Sequence, residues 1–240
     1  MSVIEAISLH WRGLRGQFVD ILFPPRCVGC HRVGVWLCAE CLNQVSPVEP
    51  PICARCGDPI VAGDLCARCQ TAPLRIECIR SAVYFEGVLR DAIHDLKYQG
   101  HVELASPLGS LMAAYWMQHP MPVDVVVPVP LHPARLRARG YNQAALLARE
   151  MAGRVGLNVD ERLLIRQRAT SPQVELNARQ RRENVRDAFR WSGNGLAGKR
   201  MVLVDDVCTT GATLDACAVA LCEGGAHSVR ALTLARPRRQ

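Results

Sequence analysis

The stretch that most limits what this chain can fold into is Met201 to Thr213, MVLVDDVCTTGAT. Met201, Val202, Leu203 and Val204 form a short apolar run, the pattern of a strand buried on both faces of a parallel sheet. That run delivers Asp205 and Asp206. Thr209, Thr210, Gly211, Ala212 and Thr213 then crowd a tight turn where LDACAVALCEGG begins a helix. The free amides of a helix start, with the positive end of its dipole, make an anion cradle. Gly211 lets the backbone approach the anion, and the threonine hydroxyls add donors. Ligands of open α/β sheets sit beyond the carboxyl ends of the strands. Val207, Cys208, Thr209, Thr210, Gly211, Ala212 and Thr213 are therefore candidate phosphate-binding residues. Two carboxylates beside such a cradle repel a bare phosphate, whereas a sugar phosphate that brings hydroxyls and Mg²⁺ suits both. The alternative is an N-capped helix that follows a buried strand. A second glycine pattern, Gly193 to Gly198, matches G-x-G-x-x-G by letter but precedes the strand at Met201. A dinucleotide fingerprint must follow one, so a turn is expected there.

Eight of the twelve cysteines form four Cys-x-x-Cys pairs: Cys27 and Cys30, Cys38 and Cys41, Cys53 and Cys56, Cys66 and Cys69. Paired knuckles of this kind hold tetrahedral Zn²⁺. The prolines at 47, 50 and 51 mark a joint between two ribbons, so the first four and the second four cysteines are expected to pair, with an interleaved arrangement left open. Four thiolates close a site and leave no water position, which makes the zinc structural. His31, beside Cys30, is a substitute ligand that four cysteines do not require. The remaining four are Cys78, Cys217 and Cys222, which read as core, and Cys208. A helix N-terminus beside Cys208 favours its thiolate, but a small packing side chain is the plainer reading.

The apolar run needed for a membrane span, about 18 residues, does not occur. The N-terminus carries Glu5, His10, Arg12 and Arg15 where a signal peptide needs an apolar segment. A cytoplasmic protein with no membrane span is expected, and in that compartment many cysteines point to metal. Ile4, Ile7, Trp11, Leu14 and Phe18 fall on one stripe of an amphipathic helix, giving a first segment over 1–25. A double zinc ribbon follows over 26–75, and an α/β domain over 80–236. The seven arginines of residues 1–79 are matched by seven acids, so the whole net charge of +7 belongs to the later domain.

Within that domain, strands are expected at Arg80 to Glu86, Val123 to Leu131, near Leu163 to Arg166, and at His227 to Leu234, with helices over Gly87 to Tyr98, Glu103 to Gln118 and from about Tyr141. Arg135, Arg137 and Arg139 lie in what reads as a basic loop after the second strand. Arg135 and Arg139 are candidate anion ligands and Arg137 a bystander; Lys97 is a further candidate contact. The segment QRATSPQVELNARQRRENVRDAF has a loop's composition, yet Gln173, Leu176, Arg179, Arg182 and Asn184 are spaced like a surface that meets something. The C-terminal PRRQ reads as an unstructured basic tail.

The strand, acid pair and Thr/Gly loop resemble the signature of type I phosphoribosyltransferases. LFPPRCVGC, LCAEC, CARCGDP, DLKYQGH, VPVPLHPARLRARGYNQA, SPQVELNARQRRENVRDAF and VLVDDVCTTGAT, in that order, are together similar to the ComF/GntX family over nearly the whole chain. The resemblance implies an α/β fold: a doubly wound, mainly parallel phosphoribosyltransferase-like sheet preceded by a Cys-rich double zinc ribbon. It implies that Asp205 and Asp206 contact the ribose hydroxyls of phosphoribosyl pyrophosphate, that the Thr/Gly loop holds its 5′-phosphate, and that the arginine loop takes pyrophosphate with Mg²⁺. The arginine-rich segment then serves as a lid. It further implies a part in DNA uptake, with an unnamed acceptor. The competing reading is a module that binds single-stranded DNA, or DNA-uptake or recombination proteins through its ribbons, with a ligand-sensing or vestigial site.

Overall fold

The computed structural model describes residues 24–168, 185, 187–193, 196 and 198–238. By internal packing the chain divides into two units, Met1–Gln44 and Val45–Gln240. The expected N-terminal helix falls on residues 1–23, outside those described, as does the part of the expected lid over 169–184.

Each unit carries a cysteine knuckle of the same build. In the first, the Cys27 amide donates to the Arg32 carbonyl at 2.9 Å and the His31 amide to the Cys27 carbonyl at 2.8 Å. Helix α1, Ala39–Leu42, starts from Cys38 as its N-cap residue. The second repeats this pattern with Cys53 to Asp58 at 2.7 Å and Gly57 to Cys53 at 2.9 Å, and α2, Ala67–Thr71, starts from Cys66. The fifth position of each knuckle must be left-handed: φ is +61° at His31 and +71° at Gly57. Histidine tolerates that region better than most residues. Glycine is obligatory at position 57, because an added Cβ would lie 2.5 Å from the Ile79 carbonyl oxygen.

The second unit is built on a four-stranded parallel sheet. Strand β1, Cys78–Tyr84, leads into α3, Gly87–Tyr98, and after a short 3₁₀ turn into α4, Ala105–Gln118. Next come β2, Val125–Pro128, α5, Pro133–Arg139, and α6, Gln143–Val155. A hairpin of β3, Leu164–Arg166, and β4, Phe189–Trp191, precedes β5, Arg200–Val207, α7, Ala212–Glu223, and β6, Ser228–Arg236. The sheet order is β1-β6-β5-β2, every pair parallel, and β3 pairs antiparallel with β4. Pro47 bridges antiparallel to Val83, so part of the proline-rich joint borders the β1 edge.

Side chains alternate across the sheet and so split its core in two. Val127, Met201, Leu203, Val229, Ala231 and Ile79 pack with Leu214, Cys217, Ala218 and Leu221 of α7 in one buried cluster. The intervening Val126, Val202 and Val204 are equally buried but stand outside it, on the face where α4 and α6 pack together against the sheet. This is the doubly wound, parallel architecture that the resemblance implies.

Three local readings change. The basic segment after β2 is a helix and not a loop: His132 accepts the Ala134 amide at 3.2 Å, Pro133 opens α5 and Gly140 closes it at φ +86°. Proline at the start and glycine past the end are the standard helix limits. Cys222 is exposed while Cys217 is buried, since α7 turns the former away from the sheet. Arg238, expected in a loose tail, pairs with Glu86 at 3.0 Å and lies over the Tyr84 ring at 3.9 Å.

Candidate functional site

The two acids sit within the last turn of pleat in β5, so they face opposite sides of the sheet. Asp205 Oδ1 accepts the Asp206 amide at 2.9 Å, and Asp206 Oδ1 accepts the Val207 amide at 2.7 Å. The Asp206 side chain is buried, with Lys97 Nζ from the end of α3 at 2.5 Å from Oδ2. Burial raises the Asp206 carboxyl, but the Lys97 ammonium outweighs it and holds the group below its usual range. Burial, followed by the neighbouring Asp206 charge, pushes Asp205 well above that range. One acid is therefore a paired carboxylate and the other a reluctant one, a division of roles set by environment.

Beyond the strand, Cys208 to Gly211 turn into α7, and Gly211 caps that helix at φ +79°. The Thr/Gly turn encloses a concavity of about 30 Å³ lined by Asp205, Val207, Cys208, Thr209, Thr210, Gly211, Ala212, Thr213 and Leu214. The Thr210 hydroxyl accepts the Ala212 amide at 3.4 Å. Cys208 contributes backbone to this turn while its thiol is buried; burial pushes its pKa up to about 12. The helix-start effect is overridden, and the side chain is packing material.

A larger cavity of about 200 Å³ adjoins it, lined in part by Lys97, Tyr98, Val129 to Leu131, Arg135, Arg139, Gln143, Arg166, Asp205, Asp206, Val207 and Thr213. It lies where β5 and β2 are neighbours and their following helices leave toward opposite faces, the crevice in which α/β sheets bind ligands. Arg135 and Arg139 reach it from successive turns of α5, whereas Arg137 points to solvent. Arg139 pairs with Gln143 and lies 5.3 Å over the Tyr98 ring. Tyr141 donates to the Leu96 carbonyl at 2.5 Å and Asn142 to the Val129 carbonyl at 3.0 Å. These two bonds tie the start of α6 to both walls. Arg166, buried with its guanidinium 5.3 Å from the Phe189 ring centre, is the charged wall residue that the sequence does not single out. Its strand was expected, but its facing depends on the hairpin register, where Arg166 pairs with Phe189.

The eight predicted ligands form two clusters, Cys27 with Cys30, Cys38 and Cys41, and Cys53 with Cys56, Cys66 and Cys69. Within each cluster the sulfur atoms lie within 4.8 Å of one another, which settles the pairing as sequential. The Cys30 to Cys38 and Cys56 to Cys66 sulfur separations are both 3.6 Å. A tetrahedron with Zn–S bonds of 2.3 Å has edges of roughly 3.8 Å, so the residues fit structural Zn²⁺. Backbone amides aimed at the sulfur outweigh burial and bring Cys27 and Cys53 down to about 6, whereas burial and the neighbouring cysteines push Cys41 up to about 12 and raise Cys69 as well; a bound metal displaces the protons of all four. His31 is exposed and outside the cluster; its backbone conformation, not its ring, is what the knuckle uses.

Among the described residues no helix is long and apolar enough to cross a membrane. Residues 18–70 match the double zinc ribbon domain and residues 139–240 the phosphoribosyl transferase domain. The chain is 32% identical over 214 residues to DNA utilization protein YhgH of Escherichia coli, covering 85% of this chain and 92% of that protein. It is 30% identical to competence protein F of Haemophilus influenzae, over 88% and 96%, and 29% identical to competence protein ComFC of Bacillus subtilis, over 83% and 84%. With this architecture, these cysteine clusters and this extent of shared sequence, the chain belongs to the ComF family, in which a double zinc ribbon is joined to a phosphoribosyltransferase domain.

Proposed function

We propose that the two adjoining concavities bind phosphoribosyl pyrophosphate with Mg²⁺, and that the protein transfers the phosphoribosyl group to an acceptor in the service of DNA utilisation or uptake. The observation that carries this reading is continuity: Asp205, Val207 and Thr213 line both the small cradle and the arginine-walled cavity. One ligand with two anionic ends and hydroxyls between them spans that arrangement. The cradle takes the 5′-phosphate, Asp205 and Asp206 take the ribose hydroxyls, and Arg135 and Arg139 take the pyrophosphate. Mg²⁺, when bound, neutralises pyrophosphate charge, and the Asp205 carboxyl is the hard oxygen donor suited to it. Lys97 keeps Asp206 ionised and oriented as an acceptor for a hydroxyl. The arginines stabilise negative charge on the departing pyrophosphate.

The names of the relatives supply the setting, DNA utilisation and competence. Twelve cysteines, eight of them zinc ligands, suit a reducing cytoplasm. There the ribbons present surfaces to DNA-uptake or recombination proteins, and the basic domain to single-stranded DNA. Calorimetry with phosphoribosyl pyrophosphate and Mg²⁺ tests the site. The wild type is expected to bind, and the double variant Asp205→Asn/Asp206→Asn to lose at least tenfold. A wild type that fails to bind defeats the reading. Binding without turnover on any nucleobase assigns the site to ligand sensing.

A further inference from the structure

The second cysteine cluster and the phosphate cradle share one buried core. Cys53, Cys56 and Cys69 belong to the same apolar cluster as Leu74, Ile76 and Ile79, and as Cys208, Ala212 and Leu214 of the cradle and its helix. Ile79 is the joint. Its amide donates to the Arg55 carbonyl at 2.8 Å, Arg55 Nη1 donates to the Ile76 carbonyl at 2.9 Å, and its own carbonyl abuts Gly57. Its side chain meets the cradle: a Cβ at Gly211 would lie 2.7 Å from Ile79 Cδ1. The backbone that wraps the second metal site is thus held on one side of a single residue and the phosphate turn on the other.

A second connection runs through β6. Arg236 Nη1 donates to the Cys56 carbonyl at 3.0 Å and pairs with Asp58, while the carbonyl of its neighbour Ala235 accepts the Cys208 amide at 2.9 Å. A third runs through α7, whose Asp215 accepts the Arg75 and Ile76 amides at 2.6 and 2.9 Å. Close-packed interiors transmit displacement and do not absorb it.

We infer that Ile79 is a positioning residue for the phosphate turn, and that metal in the Cys53, Cys56, Cys66, Cys69 site sets the geometry of the cradle through it. This rests on the phosphate-binding reading of that turn. The probes are ribose 5-phosphate, measured by calorimetry, and amide hydrogen exchange of residues 208–213 against the sheet amides of Val202 and Leu232. Ile79→Val removes the methyl that touches Gly211 and leaves both metal sites intact. It should weaken ribose 5-phosphate binding about fourfold, the worth of one buried methyl group, with two zinc equivalents retained. Cys66→Ser, at the half-buried ligand, should retain one zinc, weaken binding at least tenfold and speed exchange at 208–213 while Val202 and Leu232 stay protected. Unchanged affinity in Ile79→Val, or equal acceleration of turn and sheet amides in Cys66→Ser, overturns the inference. If Cys66→Ser does not fold, Ile79→Val decides alone. A wild type that does not bind ribose 5-phosphate sinks the site reading instead, and the exchange comparison still tests the coupling.

Discussion

Asp205 and Asp206 are adjacent in sequence and opposite in electrostatic fate, because the pleat sends one toward the cradle and the other toward Lys97. Removing the Asp206 charge takes the ion-pair partner from a largely buried Lys97 ammonium. Asp206→Asn is expected to cost about 3 kcal/mol in urea denaturation, and Lys97→Met/Asp206→Asn to recover part of it. Additive losses in that cycle refute the coupling. Asp205 behaves in the reverse sense. Its folded-state pKa lies above the ordinary value near 3.9, so the folded protein keeps a proton that the unfolded chain releases. Stability from this group therefore falls as pH rises through that interval. Asp205→Asn should gain stability relative to wild type as the pH rises above the ordinary carboxylate value, and a gap that stays constant removes this account. The acid pair was legible from its place after an apolar run, but its division into charged and reluctant members was not. That division depends on a lysine 109 positions earlier, brought near by the packing of α3.

At the scale of elements, the second ribbon is part of the sheet unit and not an appendage to it. Asp58 and Arg236, both almost wholly buried, face each other across the knuckle and the end of β6, with Arg68 at 3.1 Å from Asp58. Breaking a buried pair from one side costs about 3–5 kcal/mol. Asp58→Ala should lower the unfolding free energy of the whole second unit by that amount in urea denaturation, monitored by far-ultraviolet circular dichroism. A loss confined to zinc release, with the sheet transition unmoved, contradicts the packing. The knuckles themselves could be read from Cys-x-x-Cys spacing, because metal geometry dictates spacing. Their integration could not, since Asp58 and Arg236 are 178 positions apart. The α5 helix is hidden for a different reason: three arginines in a short segment look like a solvated loop, while His-Pro at one end and glycine at the other carry the structural signal.

At the scale of the molecule, two metal centres and a basic α/β unit respond to solution conditions in distinct ways. Metal binding requires deprotonated thiolates, so protons compete with Zn²⁺ for the four sulfur atoms of each cluster. Zinc should stay bound at pH 7.5 to two equivalents per chain and be released to a competing chelator progressively faster below pH 6, read by a zinc-sensitive dye. A release rate independent of pH argues against thiolate ligation. The net charge of +7 resides in residues 80–240. If single-stranded DNA is bound there, log affinity should fall linearly with log salt, by about 0.7 for each phosphate contact. An affinity indifferent to salt excludes backbone-phosphate binding as its source.

By itself the sequence determined what local chemistry determines: two Cys₄ clusters, a buried parallel strand, a tight Thr/Gly turn that opens a helix, and most of the strands and helices in their order. These follow from spacings of two, three and four residues, which steric and metal-ligand geometry impose without reference to distant segments. Tertiary structure alone decided which cation meets which acid, that Arg166 faces the same cavity as Arg135 and Arg139, and that the second cysteine knuckle and the Thr/Gly turn share Ile79. Those contacts join residues separated by tens to hundreds of positions. No periodicity encodes them, because they arise from the register of the sheet and the packing of its two faces.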